Sequence, residues 1–275
     1  MRHAFSAIAV VLTAIALTFL LLPILAIFLR ISPGQLWDQL HSDVATTAML
    51  LSLRTSLIAS ALILVVGTPM AHLIGTHRFR GRDVLITLIE LPLVMPPVVA
   101  GIGLFAAFGR FGLLGDELTA LGISIPFTEA AVVMAVAFVA SPFYIRQAIA
   151  AFEAVDPTLV DAARSLGAGQ GRAFWRVSLP LASGGLAAGW ALAFARGLGE
   201  FGATIIFAGN LEGVTQTLPL AIYSQFESDF DAALAIGGLL IAASAVILLV
   251  VKLASSWTTR LISPSTSIFR GAPSA

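Results

Sequence analysis

The chain has 275 residues, of which 58% are hydrophobic and 11% are charged, and its formal net charge is zero. Soluble domains carry about 25% charged residues, so this chain cannot cover a soluble surface and must face lipid. The balanced charge gives no basis for binding nucleic acid, and the absence of cysteine excludes disulfide and thiol chemistry. We therefore predict an all-α membrane protein that forms a single domain over residues 1–275.

Six apolar stretches predict membrane helices, since a span needs about 20 mostly apolar residues. They cover residues 4–29, 55–74 with an amphipathic lead from Val44, 84–108, 125–150, 181–208 and 231–253. A signal peptide is the alternative for the first stretch, but its apolar core would be only about 7–15 residues long, so we expect a retained helix. The tail from Ala254 is short and rich in Ser and Thr, and we expect no further domain in it.

Polar links at 32–43, 77–82, 109–124 and 210–230 join these spans, and Trp37 is a predicted interface anchor. Arg and Lys in short links favour the cytoplasmic side of a membrane protein. One side of the predicted topology carries ten of them: Arg2, Arg78, Arg80, Arg82, Arg164, Arg172, Arg176, Lys252, Arg260 and Arg270. The other side carries Arg30 and Arg110. We therefore place both termini and residues 156–180 in the cytoplasm.

The third predicted span contains three prolines, in the run Leu91-Pro92-Leu93-Val94-Met95-Pro96-Pro97. Prolines remove backbone donors and break or kink a helix. In a membrane such a break persists only where protein or a water-filled cavity satisfies the freed backbone groups. Pro96 and Pro97 are therefore predicted to line a translocation path, with a simple structural kink as the alternative.

Residues 156–180 form the longest polar and charged stretch between the apolar blocks. Asp156 suits a helix N-cap and Pro157 the first helical position. Apolar residues then recur at helical spacing: Leu159, Ala162, Ala163 and Leu166. Three glycines follow that would end the helix and permit a sharp turn: Gly167, Gly169 and Gly171. With a second short helix from about Arg172 to Pro180, the pattern predicts a helix–turn–helix on the membrane surface; a solvated loop is the alternative.

Two charges, Arg196 and Glu200, lie four residues apart within the predicted fifth span. Charges inside a membrane usually face the bundle interior or a water-filled cavity, and at this spacing they share one helix face and can neutralise each other. They either line the translocation path or form a structural pair at an interface. Glu90 is a further partner or a lone interface residue, and we expect His72 to be structural rather than a ligand.

The sequence lacks the features of a nucleotide- or metal-dependent enzyme. A phosphate-binding loop needs a Lys after its last Gly, and Lys252 is the only Lys. Residues 197–202 fit G-x-G-x-x-G, but within a membrane span such glycines let helices approach closely or loosen a gate. No cluster has metal-ligand spacing. We expect no catalytic residue, no metal and no cofactor bound by this chain.

The spacing within 156–180 resembles the coupling-loop signature of importer-type ABC permeases, which reads Glu-Ala-Ala, x3, Gly, x9, an aliphatic residue, x, Leu-Pro. The matching residues are Asp161, Ala162, Ala163, Gly167, Val177, Leu179 and Pro180. Asp161 replaces the usual Glu and keeps the charge on a shorter stem. In that family the loop is a short cytoplasmic helix that docks on the ATP-hydrolysing subunit.

Stretches 91–97, 192–204 and 215–223 resemble the molybdate permease branch of ABC importers, and the resemblance covers roughly residues 50–243. It implies a homodimer with a central two-fold path, two cytoplasmic ATPase subunits that use ATP and Mg, and an extracytoplasmic molybdate-binding protein. The residues expected at the path or gate are Pro96, Pro97, Arg196, Glu200 and Thr204. Tungstate and sulfate or thiosulfate permeases share much of the pattern. A secondary transporter, which usually has internal repeats, and a membrane scaffold are the alternatives from other classes.

Overall fold

A computed structural model describes residues 2–262, and every regular element in that range is helical, which confirms the predicted all-α class. The helices are α1 (Arg2–Arg30), α2 (Pro33–Leu40), α3 (Asp43–Thr76), α4 (Arg82–Val94), α5 (Pro97–Phe108), α6 (Gly115–Ala120), α7 (Glu129–Glu153), α8 (Pro157–Ser165), α9 (Gln170–Ala173), a π-helical segment (Phe174–Ser178), α10 (Leu179–Leu198), α11 (Gly202–Phe207), α12 (Leu218–Phe226) and α13 (Phe230–Ile262).

Five helical stretches of the described chain are long and apolar enough to cross a membrane. They are Ile8–Arg30, Asp43–Thr76, Glu129–Glu153, Gln170–Leu198 and Phe230–Val250. A sixth crossing is present if α4 and α5 form one broken span, since they meet at an angle of 112°. The break falls at Met95 and Pro96, within the proline run in which the sequence predicts it.

Three of the predicted links contain short helices that the sequence analysis does not predict. The link at 32–43 holds α2, the link at 109–124 holds α6 and the link at 210–230 holds α12. In α2 a capping box overrides the polar composition: Ser32 Oγ accepts a hydrogen bond from Gln35 N at 3.2 Å, and Ser32 N donates to Gln35 Oε1 at 2.8 Å.

The predicted boundaries of the fifth span are wrong, whereas the predicted sixth span, 231–253, agrees with the apolar stretch Phe230–Val250. The helix of the fifth span begins at Gln170 instead of residue 181, and it ends at Leu198, before a break and the short α11. The sixth helix continues beyond residue 253 to Ile262. The remainder of the predicted tail, residues 263–275, lies outside the described residues.

The described chain divides into two compact units. The first comprises the residues up to Ser52 together with Asn210–Ala243. Its core contains Ala45, Ala48, Leu218, Ala221 and Ile236. Within it Leu218 N donates a hydrogen bond to Ser52 Oγ at 2.7 Å, which ties the start of α12 to α3. A single permease domain over residues 1–275 stays a prediction.

The second unit comprises Leu53–Gly209 and the residues from Ser244, and it is built around the contact between α7 and α10. Small residues allow membrane helices to approach closely. A Cβ atom on Gly189 would lie 2.9 Å from Gln147 Cβ, and one on Gly197 would lie 2.8 Å from Val136 Cγ1. Glycine at these two positions therefore sets how closely α10 approaches α7.

The two short half-helices α5 and α11 also meet through glycines. A Cβ atom on Gly101 would lie 2.8 Å from both Ala203 O and Ile206 Cβ, and one on Gly202 would lie 2.8 Å from Pro97 Cβ. The sequence prediction that glycines in residues 197–202 serve close approach of helices agrees with this packing at Gly197 and Gly202.

We predict that Gly101→Ala lowers the melting temperature of the purified protein in detergent, because overpacking a close contact costs about 1–3 kcal/mol. Gly103→Ala is the matched control on the same helix, since a Cβ atom at Gly103 would meet nothing within 4 Å. Equal melting temperatures for the two variants would contradict the packing described for α5 and α11.

Candidate coupling element and translocation path

The segment 156–180, here called the coupling element, begins with a capped helix. Asp156 Oδ1 accepts hydrogen bonds from Thr158 N at 2.9 Å and from Thr158 Oγ1 at 2.8 Å, and Pro157 occupies the first turn of α8. These bonds favour the charged carboxylate and hold the pKa of Asp156 below its ordinary value. The cap is therefore complete above the ordinary pKa and is lost as the pH falls through the lowered one.

Gly167 ends α8 in the left-handed conformation, with φ +88°. Gly167 N donates to Arg164 O at 2.9 Å and Ala168 N donates to Ala163 O at 3.0 Å. This pair of bonds is the Schellman motif, which favours glycine at the left-handed position. The predicted turn at Gly167 is confirmed, but Gly169 has an ordinary φ of −66° as the N-cap of α9 and Gly171 lies inside that helix, so neither is required by the turn.

The α8 helix contains no buried residue. Asp161 and Ala162 are exposed and Ala163 is half-buried. Leu166 is 90% exposed and Leu159 is 48% exposed, so the helix presents apolar as well as charged side chains to its surroundings. An exposed amphipathic helix of this kind is suited to docking on another protein.

The second half of the coupling element differs from its prediction. In place of a separate short helix that ends before Pro180, α9, the π segment and α10 run on as one continuous helix. A proline clashes with the carbonyl group four residues earlier in an α-helix; here that group belongs to Arg176, which lies in the π segment, where Leu179 N donates to Phe174 O. We infer that this wider turn lets the helix continue through Pro180.

Phe174 anchors the coupling element to the membrane helices. Its ring lies 4.7 Å from the ring of His72 on α3 and 6.2 Å from that of Phe152 on α7, and His72 lies 4.9 Å from Phe152. Leu179 packs against the same apolar cluster, whereas Pro180 is exposed. His72 therefore takes part in aromatic packing, in agreement with the structural role expected of it.

A hydrogen bond and an ion pair of Arg82 join neighbouring helix ends close to Phe174. Arg82 Nε donates a hydrogen bond to Ile74 O at 2.9 Å, and Arg82 Nη2 forms an ion pair with Glu153 Oε1. The Arg82 side chain is only 14% exposed. It therefore joins the last turn of α3, the first turn of α4 and the last turn of α7. A cleft of about 1030 Å³ lies between these helix ends and the coupling element, and Asp161 is among the residues that line it.

At the other predicted region, Arg196 and Glu200 form the expected ion pair, with Nη2 and Oε2 2.8 Å apart. They do not share a helix face, because α10 ends at Leu198 and Glu200 lies in the break before α11. The Glu200 side chain is 1% exposed, and its Oε1 accepts a hydrogen bond from Ala203 N at 2.8 Å. The carboxylate thus serves both the charge of Arg196 and the free backbone donor that begins α11.

The remaining predicted path residues lie near the same breaks. Pro96 is exposed and Pro97 is half-buried at the start of α5, next to Gly202. Thr204 is fully buried in α11, and its Oγ1 makes no hydrogen bond. The structure thus brings Pro97 close to the first residue of α11, while Thr204 lies inside the packing.

Comparison with known proteins decides the family. The protein family described as "Binding-protein-dependent transport system inner membrane component" matches residues 63–268 of the chain. The chain belongs to this family. It is 45% identical over 241 residues to the "Molybdenum transport system permease protein ModB" of Mycobacterium tuberculosis, which covers 87% of this chain and 91% of that protein. It is 35% identical over 233 residues to the "Sulfate transport system permease protein CysT" of Escherichia coli, which covers 83% and 84%.

Solved structures show the same fold. The permease resembles a chain of a bacterial ABC transporter involved in the import of alginate, with a TM-score of 0.71 over 95% of this chain and 98% of that one, at 17% identity. A chain of the methionine ABC transporter MetNI gives a TM-score of 0.59 over 85% and 100%, at 15% identity. The family and the permease relatives, together with this fold, identify the chain as a multi-pass membrane permease of an ABC importer.

Sequence reasoning does not predict two further ion pairs of the permease. Glu90 Oε1 lies 3.0 Å from Arg146 Nε. Glu90 is therefore neither a partner of the Arg196–Glu200 pair nor a lone interface residue. Arg54 Nε lies 3.0 Å from Glu129 Oε1. These pairs join residues distant in sequence, and no local spacing identifies them. In the described residues no group of three His, Cys, Asp or Glu side chains is placed to hold a metal ion.

We predict that Asp161→Lys and Gly167→Pro abolish ATP-driven uptake by the permease and weaken its retention of the ATPase subunit. The first reverses the charge on exposed α8, and the second removes the left-handed turn. Asp161→Glu keeps the charge and Gly169→Ala leaves an unstrained position, so both should transport normally, whereas Gly167→Ala should lose about 1–2 kcal/mol locally. Normal uptake by both damaging variants, at equal membrane levels, would contradict the assignment.

We also predict that Arg196→Ala and Glu200→Ala each harm assembly or uptake more than the double variant does. A single replacement leaves one uncompensated charge in a buried site, which costs about 3–5 kcal/mol. Thermal stability of the purified variants and labelled-anion uptake together measure the coupling between the two positions. Strictly additive effects in this double-mutant cycle would rule out direct pairing.

Proposed function

We propose that the chain is the permease subunit that carries molybdate into the cell, driven by ATP hydrolysis on a separate subunit. The observation that supports molybdate as the substrate is the chain's 45% identity to molybdenum permeases, compared with 35% to a sulfate permease over a similar length. Tungstate has the same tetrahedral shape and charge, and we expect it to be handled nearly as well. Sulfate or thiosulfate transport is the second candidate.

The energy source follows from the coupling element. ATP and Mg would be bound by cytoplasmic ABC ATPase subunits, since the chain's only Lys is not in a phosphate-binding loop. The exposed α8 helix supplies a docking surface for such a subunit. A secondary transporter would leave this surface unexplained.

The proposed topology places the coupling element and both termini in the cytoplasm, and the chain in the cytoplasmic membrane. The excess of Arg on the side of residues 156–180 supports this orientation. An extracytoplasmic molybdate-binding protein would deliver the anion on the opposite side. The related alginate transporter has been crystallised in complex with a pentasaccharide-bound periplasmic protein, which supports a partner of that kind here.

A second copy of the chain would complete the path. C2 dimers are the commonest assembly among soluble homo-oligomers, and we expect the same symmetry here. Lipid would surround α1, which exposes large apolar side chains. A conduit needs weak, displaceable contacts, because a tightly held ion does not leave. Selectivity among tetrahedral oxyanions would therefore lie mainly in the binding protein.

We predict that cells expressing the whole system take up labelled molybdate, that excess tungstate competes, and that equal sulfate does not. Cells that lack only this permease are the control and should take up none. Abolition of uptake by sulfate at equal concentration would favour the sulfate branch. Absence of molybdate uptake with a functional ATPase and binding protein would refute the substrate.

A further inference from the structure

Helix α7 carries three interhelical ion pairs along its length. Glu129 pairs with Arg54 in its first turn, Arg146 pairs with Glu90 further along, and Glu153 pairs with Arg82 in its last turn. Arg146 precedes Glu153 by seven residues, which is about 10 Å along a helix. On α4, Glu90 follows Arg82 by eight residues, or about 12 Å. Both helices thus place the Glu90–Arg146 pair at nearly the same distance from the Arg82–Glu153 pair.

That distance places the pair inside the membrane. α7 has 25 residues, about 37 Å, so its ends extend about 4 Å beyond each side of a hydrocarbon core about 30 Å thick. A pair about 10–12 Å from the helix ends held by Arg82 therefore lies about 6–8 Å inside the core. The Arg146 side chain is nevertheless 61% exposed and that of Glu90 is 32% exposed in the single chain. Charged side chains at such depth face a bundle interior or a water-filled cavity, because exposure to lipid is too costly.

The Glu90–Arg146 pair differs in this respect from the two other pairs formed by well-covered side chains. Arg82 is 14% exposed, and Glu200 in the Arg196 pair is 1% exposed. In each of those pairs the chain itself covers one charge well, while the partners Glu153 and Arg196 are 45% and 29% exposed. Neither pair contains a side chain as exposed as that of Arg146. The exposed pair requires a polar environment from outside the chain.

The chemistry of Arg146 suits an oxyanion. A guanidinium group carries five N–H donors in a planar fork and is weakly hydrated. Glu90 meets it through Nε at 3.0 Å, which leaves donors for a second anion. A tetrahedral dianion can therefore bind Arg146 while Glu90 moves aside, and Glu90 can return when the anion leaves, so that neither state strands a bare cation in the membrane.

We propose that the Glu90–Arg146 pair lines the water-filled part of the anion path on the side of the coupling element, with Arg146 contacting the anion and Glu90 acting as its displaceable substitute. The anion's identity as molybdate rests on the proposed function. The position of the pair in the path does not, because it follows from depth, exposure and charge.

Thiol accessibility tests the position directly, since the chain has no cysteine of its own. Glu90→Cys is compared with Leu88→Cys in the whole transporter, in inside-out membrane vesicles, with a charged thiol reagent that does not cross membranes. Leu88 is 56% exposed on the same helix, about 200° around it from Glu90, and should face lipid. Glu90→Cys/Arg146→Gln is a second test variant, without an unpaired Arg.

We expect position 90 to react at least tenfold faster than position 88, and molybdate to slow that reaction. Equal rates at the two positions in both test variants would overturn the placement in the path. If the wild type imports labelled molybdate but the anion does not slow the reaction, the anion contact is overturned. If the wild type imports no molybdate while position 90 still reacts rapidly, the proposed substrate fails and the path position stands.

Uptake separates an anion contact from a purely structural pair. Arg146→Gln should lower the maximal rate of molybdate uptake at least tenfold, and Glu90→Gln/Arg146→Gln should be just as impaired, because the cation is absent from both. A structural pair would instead be rescued in the neutral double variant, which strands no charge. Rescue to near wild-type uptake would therefore overturn the role of Arg146.

Discussion

The break between α10 and α11 depends on the carboxylate of Glu200, because lipid offers no hydrogen-bond partners to backbone groups. One oxygen accepts a hydrogen bond from Ala203 N and the other pairs with Arg196 Nη2, each at 2.8 Å. The α11 helix that begins there packs through glycine contacts against α5, itself the second half of a broken span. One buried charge thus stabilises the region where two discontinuous segments meet.

This region is joined to the coupling element by a single helix. α10 has 20 residues, about 30 Å, and it continues without interruption from the π segment that carries Phe174. Phe174 in turn contacts α3 and α7 through His72 and Phe152. A displacement of the coupling element therefore acts at once on three membrane helices, and along α10 it reaches the Glu200 break. For the proposed ATP-driven permease, this continuity would supply the physical link between the coupling element and the path.

Local signals in the sequence predict much of this arrangement. The proline run gives the break before Pro97, the cap at Asp156 and the turn at Gly167 follow from residue type, and the Arg196–Glu200 pair follows from spacing. The errors have common causes. Composition alone conceals the capping box at Ser32, and a continuous apolar pattern conceals the interruption at Gly199. Pairs such as Glu90–Arg146 depend on which helices are neighbours, which a single sequence does not specify.

The central claim is that the permease couples ATP hydrolysis on one side of the membrane to a loaded binding protein on the other. Its most direct test is the ATPase rate of the purified permease–ATPase complex in proteoliposomes, with molybdate-loaded or empty binding protein on the opposite side. The account predicts that the complex stays intact on purification and that loaded binding protein raises the rate several-fold over empty binding protein. A permease that retains no ATPase subunit, or a rate indifferent to the loaded binding protein, would contradict it.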